Sequence, residues 1–537
     1  MSNLCIQLVE NKTYQWFYKN NIWLKGNFFD PEQNYYSNQK ALEYLTKQLE
    51  TRSLPEVVKK LNGIFTILYH ESAGISIACD PVNFFPVFYA LNNGKWLVTD
   101  DLSLVLEQTT HWQMNDNAIP GFLTAGFVMD NETLIKNILK TQAGEIVLLK
   151  ADGSYDRHTW FYFLPDQFNP SPLAALSAQF IKHLDDLNHR MVTLLNGRTA
   201  IVPLSGGYDS RLIAVLLKKA GYENTICITY GKKNPEVDIS REVAKNLGFR
   251  WVFVDYENID TAGFVDDPQF IDYARYMGKG YSMPYLQEFF AARELKRKKL
   301  IPDDAVFLPG HTGDYIAGSY VLKTAKTTRK DKALFAWLSY KYFWFARKSR
   351  TDNKLIEDKL QQLFSLYVNH HNPDPGYNVW VEDWDIREKI AKFIFHSSHV
   401  FPFFGYEIYF PLWDKELVGF FRHVSFAFRE NKMLYDNTLE EHLFKPYNIF
   451  FAASELKVKP SPPWVDRWKG KVKPYIPAYF KMRKLKKNDP ICYSEFTQAL
   501  MLDLKRMGES PPKHINSFNA IICKWYVVFL NKIRAGR

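Results

Sequence analysis

Two hydrophobic periods divide the chain. Over residues 1–165 apolar positions alternate in short runs, as in Ile64-Phe65-Thr66-Ile67-Leu68, Ile75-Ser76-Ile77-Ala78-Cys79 and Ile146-Val147-Leu148-Leu149. Asn92-Asn93-Gly94 and Ala151-Asp152-Gly153-Ser154 punctuate them, which predicts short strands with tight turns and one helix over Ala41–Leu49. Pro165 to Pro172 is a polar linker. From Leu173 the period becomes helical: Leu173, Leu176, Phe180, Leu184, Leu187, Met191 and Leu194 recur every three or four residues. Strand, helix, strand, helix and strand then follow over Thr199–Leu204, Ser210–Ala220, Thr225–Thr229, Val237–Leu247 and Trp251–Val254, the signature of a parallel sheet. Residues beyond about 320 read as helical and rich in aromatics.

Composition refines this picture only locally. The 537 residues carry 46% hydrophobic and 23% charged side chains, which suits a globular chain and excludes a disordered or collagen-like one. The net charge is +10, but eleven basic residues against Asp466 and Asp489 between Leu456 and Pro490 supply nine of those charges. The basic balance therefore describes one segment, expected to be a solvated carboxyl-terminal extension, and not a nucleic-acid-binding body. Five cysteines without metal or redox spacing, and no basic leader before an apolar core, suggest a cytoplasmic protein. The stripe Ala333–Arg350 reads as helical core more readily than as a membrane-surface helix, so no stable membrane insertion is expected. His311, His370, His371, His396 and His399 show no metal-ligand spacing.

The chemistry is carried by Ser205-Gly206-Gly207-Tyr208-Asp209-Ser210, set between a β-branched strand and an amphipathic helix. Gly206 and Gly207 allow close backbone approach and are expected at positive φ. Amides at the helix start point at an anion, and the two serines add hydroxyl donors. Asp209 would repel bare phosphate, so its role there is to hold Mg2+ on phosphate oxygens. The spacing differs from a Walker loop, which ends in Gly-Lys-Ser/Thr.

This stretch resembles the pyrophosphate loop, SGGxDS, of the N-type ATP pyrophosphatases, and its surroundings resemble the asparagine synthetase family over about 440 residues. Leu61-Asn62-Gly63-Ile64-Phe65, Asp80 with Pro86 and Tyr89, Leu97 to Asp101, and Gly126-Phe127-Val128 with Thr133-Leu134 resemble that family's class II glutamine amidotransferase domain. The resemblance departs where glutamine would be hydrolysed. Ser2 stands in place of the cysteine after the initiator Met, Cys5 lacks a free amine, and Gly26-Asn27 reverses the Asn-Gly oxyanion motif. A degenerate domain without glutaminase activity is expected, a loss that the beta-lactam synthetase branch shares.

Phe307 to Asp314 resembles the family's LSGEGADE, with His311 and Tyr315 at the two Glu positions; Gly318-Ser319-Tyr320 resembles its GGY. Gly405 to Asp414 resembles GxExRxPFLD with Tyr409 in place of Arg, and Glu407, Pro411 and Asp414 read as supports. Lys432 falls where the family has a phosphate-contacting Lys. The resemblance thus implies an α/β protein: an amino-terminal α/β/β/α sandwich of amidotransferase type over 1–165, a parallel-sheet ATP pyrophosphatase domain with a helical carboxyl-terminal part over 173–454, and the basic extension over 455–537. It implies ATP and Mg2+, with Leu204, Ser205, Gly206, Gly207, Asp209, Ser210 and Gly310 at the nucleotide, Asp209 and Asp314 at the metal, and Lys432 and His311 as catalytic groups. The reaction implied is adenylation of a small carboxylate and its transfer to an amine or ammonia, without nucleic acid and compatible with a homodimer. The alternatives are an inactive scaffold protein, or an amidotransferase acting on a sugar acid for surface polysaccharide.

Overall fold

The computed structural model describes residues 4–10, 13–108, 112–319, 331–371, 376–451 and 478–535. In the amino-terminal domain the alternating runs form two sheets. Seven strands, among them Ile22–Phe29, Asn62–Glu71, Gly74–Cys79 and Glu145–Lys150, make an antiparallel sheet. Four more, including Leu4–Gln7 and Lys95–Thr99, make the second. Alternation places Leu68, Ile75, Ile77, Val87, Tyr89 and Val98 between the sheets. The outer face of the larger sheet, with Phe28, Phe65 and Ile67, is covered by helices Asn38–Leu49 and Leu54–Val58. The outer face of the smaller sheet packs on helix Leu102–Gln108. The result is the expected α/β/β/α sandwich.

The second domain is built on five parallel strands in the spatial order Arg250–Asp255, Thr225–Gly231, Ala200–Pro203, Val306–Phe307, Glu407–Ile408. Ala200, Ile201 and Val202 are fully buried, as in a strand covered on both faces. Helix Tyr208–Lys219 is buried from Ser210 through Leu217, and helix Leu173–Leu195 buries the periodic face read from its sequence. The chain leaves Ala200–Pro203 toward one side of the sheet and returns on the other with Val306–Phe307. This strand therefore stands at the topological switch point, where loops diverge and open a crevice at the carboxyl ends. The Gly126–Val128 segment joins the halves: the Val128 amide donates to Tyr281 O and the Met283 amide to Gly126 O.

The described part of the extension is solvated at Arg483, Lys484, Lys486 and Lys487 but not beyond them. Helices Tyr493–Arg506 and Asn519–Ala535 bury Phe496, Leu500, Leu504, Ile521 and Trp525 in the main core. Each such side chain contributes about 1.5–3 kcal/mol, which outweighs the attraction of the interspersed charges to water. Tyr526 Oη accepts from the Gly280 amide at 2.9 Å, and Pro490 O accepts from the Lys232 amide at 2.7 Å. The most basic stretch, Lys457 to Lys473, lies outside the described residues. The aromatic stripe of Ala333–Arg350 is core: Leu334, Phe335, Leu338, Tyr342 and Phe343 are buried against helix Arg350–His370 and its neighbour Tyr377–Asp385. Among the described residues no helix is long and apolar enough to cross a membrane.

Candidate active site

A cavity of about 420 Å³ opens at the switch point. Its wall takes Ser205, Gly207, Asp209 and Ser210 from the loop after Ala200–Pro203, Gly310, His311 and Asp314 from the loop after Val306–Phe307, and Lys432 from a later turn. Leu204 and Gly206 do not reach it. Leu204 is buried, and its carbonyl accepts from Thr229 Oγ1 at 3.0 Å and Ser240 Oγ at 3.2 Å, which ties the loop to its neighbours.

The loop is pinned internally. Its Ser205 amide donates to Ser210 Oγ at 3.0 Å and the Gly207 amide to Ser205 Oγ at 3.2 Å. Buried Arg211 donates to Gly206 O at 2.5 Å and to Ile449 O at 3.0 Å. Gly207 is the N-cap, with no side-chain cap, so the first-turn amides of an otherwise buried helix are left for a ligand. Neither glycine has positive φ; Gly207 is extended at −83°. Their smallness serves access instead: a methyl group on Gly206 would lie 3.2 Å from Glu236 Cγ.

Asp209 is the hub. Its Oδ2 accepts from the Asp314 amide at 2.8 Å and its Oδ1 from the Tyr435 hydroxyl at 3.0 Å. Burial, then the neighbouring Asp314 charge, pushes its carboxyl up to about 7. Burial likewise raises Asp314, which Lys389 and Lys432 partly oppose. Two desolvated carboxylates side by side suit a hard divalent cation, which takes one or two carboxylates and completes its shell with phosphate oxygens and water. Asp209 and Asp314 fit Mg2+ in that sense. Among the described residues no cluster of three or more His, Cys, Asp or Glu is arranged to hold a metal by itself.

The second loop is pressed against the first. A methyl group on Gly310 would lie 2.7 Å from the Ser210 nitrogen, and one on Gly313 would lie 2.5 Å from Asp209 Cγ and 2.6 Å from Tyr435 Oη. Gly313→Ala is therefore expected to displace the Asp209 carboxylate and to weaken any ligand bound through it about 100-fold, read as the loss of thermal stabilisation by Mg2+ and nucleotide. His311 lines the cavity, stacks on Phe410 and is held down to about 4 by burial, so it is neutral at physiological pH. Tyr315 turns away and donates to Glu382 O at 2.7 Å.

Lys432 occupies a strained turn. It and Asn431 both lie in the left-handed region, at φ 58° and 54°, and Lys432 caps helix Met433–Leu439. For residues other than glycine this costs of order 1–3 kcal/mol, a strain that marks functional sites more often than inert loops. Its ammonium lies 3.1 Å from Asp436 and over the Tyr208 ring, whose hydroxyl donates to Glu440 at 2.6 Å. Reasoning from sequence missed Tyr435, Tyr230, Gln287 and Glu288, all close to this site. None belongs to a contiguous motif.

In the amino-terminal domain, Gly26 sits within strand Ile22–Phe29, where a methyl group would lie 2.1 Å from Ile64 O. Its positive φ thus serves strand packing. Adjacent Lys25 is buried and paired with Asp100 at 2.7 Å. Cys5 lies in strand Leu4–Gln7, and Ser2 is outside the described residues.

A glycine loop at the switch point of a parallel sheet, following a two-sheet amino-terminal domain, defines a nucleotide-loop α/β protein joined to an amidotransferase-like domain. Family models agree: residues 197–434 match asparagine synthase and residues 26–161 a glutamine amidotransferase domain. The chain belongs to the asparagine synthetase family. It is 23% identical over 328 residues to the microcin J25-processing protein McjC of Escherichia coli, covering 59% of this chain and 58% of that one. It is 24% identical over 200 residues to glutamine-hydrolyzing asparagine synthetase 1 of Bacillus subtilis (strain 168), covering 36% and 31%. The matched regions thus span less than two thirds of either relative. Among solved structures, a U34-tRNA thiolase, NcsA, from Methanococcus maripaludis is similar at 14% identity and a TM-score of 0.20, covering 51% of this chain and 77% of that one.

Proposed function

We propose that the chain is an ATP-dependent carbon–nitrogen ligase. The observation that carries this reading is the Asp209–Asp314 carboxylate pair, locked by the Asp314 amide and Tyr435 at the mouth of an uncapped helix. ATP bound there would place its phosphates on the first-turn amides and on Ser205 and Ser210. Mg2+, held by Asp209 and Asp314, would neutralise the leaving pyrophosphate. A substrate carboxylate oxygen attacks the α-phosphorus, the bond to the bridging oxygen breaks, and pyrophosphate leaves. An amine then attacks the acyl carbon, and AMP leaves with the bonding pair. Lys432 supplies positive charge where it develops on the phosphates. Lys432→Met is expected to lower turnover about 100- to 1000-fold without loss of folding, read as amide formed at saturating ATP.

Neutral His311 in place of the family's Glu, and the longer match to a microcin-processing protein, favour an acid other than aspartate. The Lys25–Asp100 pair beside Gly26 supports a structural amino-terminal domain, with an amine that does not come from glutamine. The test is incubation with ATP, Mg2+ and candidate acids, with labelled pyrophosphate followed into ATP. Acid-dependent exchange and AMP release are expected, and no glutamate from added glutamine. Release of ADP would overturn the reading.

A further inference from the structure

One acidic side chain on the cavity wall has no part in carboxylate activation. Glu288 precedes helix Phe289–Arg297, is 8% exposed, and lines the same cavity as Asp209, His311 and Lys432. Its Oε1 accepts from the Tyr230 hydroxyl at 2.6 Å and from Gln287 Nε2 at 3.1 Å. Gln287 is held in turn by the Tyr285 hydroxyl at 3.0 Å. The other oxygen, Oε2, is buried without a hydrogen-bond partner among the described residues. A carboxylate fixed through one oxygen and unsatisfied at the other is costly in a folded chain unless a ligand completes it.

The surroundings say what kind of ligand. Burial holds the Glu288 carboxyl up at about 7, and no basic side chain opposes that rise. The titratable groups around it are tyrosines from the neighbouring elements: Tyr230, Tyr256, Tyr273, Tyr285 and Tyr493, each raised further by the Glu288 charge. This corner of the cavity therefore offers an acceptor that no cation neutralises. The second half of the ligase reaction needs that acceptor, because an amine reaches the enzyme as an ammonium ion and must lose a proton before it can attack. Other groups on the wall are poorly suited. Asp209 and Asp314 would be taken up by Mg2+ in the ligase reading, Lys432 is cationic, and neutral His311 is too weak a base when buried.

We propose that Glu288 receives the amine nucleophile, binding its ammonium form through Oε2 and taking the proton that frees the nitrogen lone pair. The neutral amine then attacks the acyl adenylate. The carbon–nitrogen bond forms, the carbon–oxygen bond to AMP breaks, and the second amine proton leaves to water. A carboxylate receiver of this kind selects a cationic primary amine over neutral water and so suppresses hydrolysis of the adenylate. This assignment rests on the ligase reading.

Glu288→Gln in the full chain separates the two halves of the reaction. The acid that supports pyrophosphate exchange in the wild type is used, with ammonium chloride as the amine. The variant is expected to keep exchange while amide formation falls about 100-fold or more. Hydroxylamine, already neutral at neutral pH, should restore acyl transfer as the hydroxamate. Retained exchange also reports that the variant is folded. If Glu288→Gln does not fold, Tyr230→Phe serves. Loss of that hydroxyl raises Glu288, so the acid limb of the amide-forming pH profile should move to higher pH with exchange unchanged. Wild-type amide formation in Glu288→Gln overturns the assignment. So does a parallel loss of exchange with a raised KM for ATP, which places Glu288 at the adenine base. Absence of exchange in the wild type with every acid overturns the ligase reading itself.

Discussion

Asp209→Asn should abolish AMP and pyrophosphate release, by about 1000-fold or more, and leave the fold intact. Asn has the shape to keep both contacts: its carbonyl can accept from the Asp314 amide, and its amide can face the Tyr435 hydroxyl, which rotates to accept. What disappears is the charge that would hold Mg2+ against the pyrophosphate. The same charge is a burden without ligand, because it is desolvated and beside Asp314. A carboxyl held at about 7 when folded binds a proton that the unfolded chain, with an ordinary carboxylate, has already lost over pH 4 to 7. Its contribution to stability is present at low pH and lost as pH rises through about 7. Thermal unfolding without nucleotide should therefore show Asp209→Asn gaining on the wild type from pH 5 to pH 8. A marked fall in its melting temperature, or turnover within about tenfold of wild type, would contradict the role assigned to Asp209.

The loop was legible because its chemistry is contiguous: two glycines, two serines and an aspartate between a β-branched strand and a buried helix. Helix Leu173–Leu195 and the strand–helix alternation were legible for a similar reason, since each periodicity lies within one segment. Tyr435 was not, because it meets Asp209 across 226 residues and only the packing of helix Met433–Leu439 brings it there. Glu288 looks in sequence like any acidic residue before a helix, and its burial depends on tyrosines from four other elements. The extension was misjudged only in part: the basic run that ends at Lys487 was extended over the helix after it, where Phe496, Leu500 and Leu504 recur every four residues and are buried. The expectation of positive φ at Gly206 and Gly207 failed because the chain leaves the strand extended and turns directly into the helix. Glycine is needed there for clearance and not for handedness.

Asp414→Ala should lower stability by about 3–5 kcal/mol, as removal of one member of a buried ion pair does. Arg190, from helix Leu173–Leu195, donates to both oxygens of Asp414 at 2.7 Å, with the side chains 3% and 0% exposed. Arg190 also reaches Gln33 Oε1 at 2.6 Å, and Asn62 Nδ2 donates to Asp414 at 2.8 Å, so residues of the amino-terminal domain close on the same pair. Asp414 further caps helix Lys415–His423 by accepting from the Glu416 and Leu417 amides. Alanine removes all three functions and leaves a guanidinium buried without its partner. Denaturant unfolding should report the loss, and proteolysis should become easier near Asn62 and Lys415, where the domains part. Asp414→Asn keeps the cap and can keep the Asn62 link, so its smaller deficit isolates the ion pair. Arg190→Met with Asp414→Leu should recover part of the alanine loss, because a buried pair replaced by apolar volume removes two desolvated charges together. If Asp414→Ala costs less than about 1 kcal/mol, as a solvated pair would, then the carboxylate does not hold the two domains together.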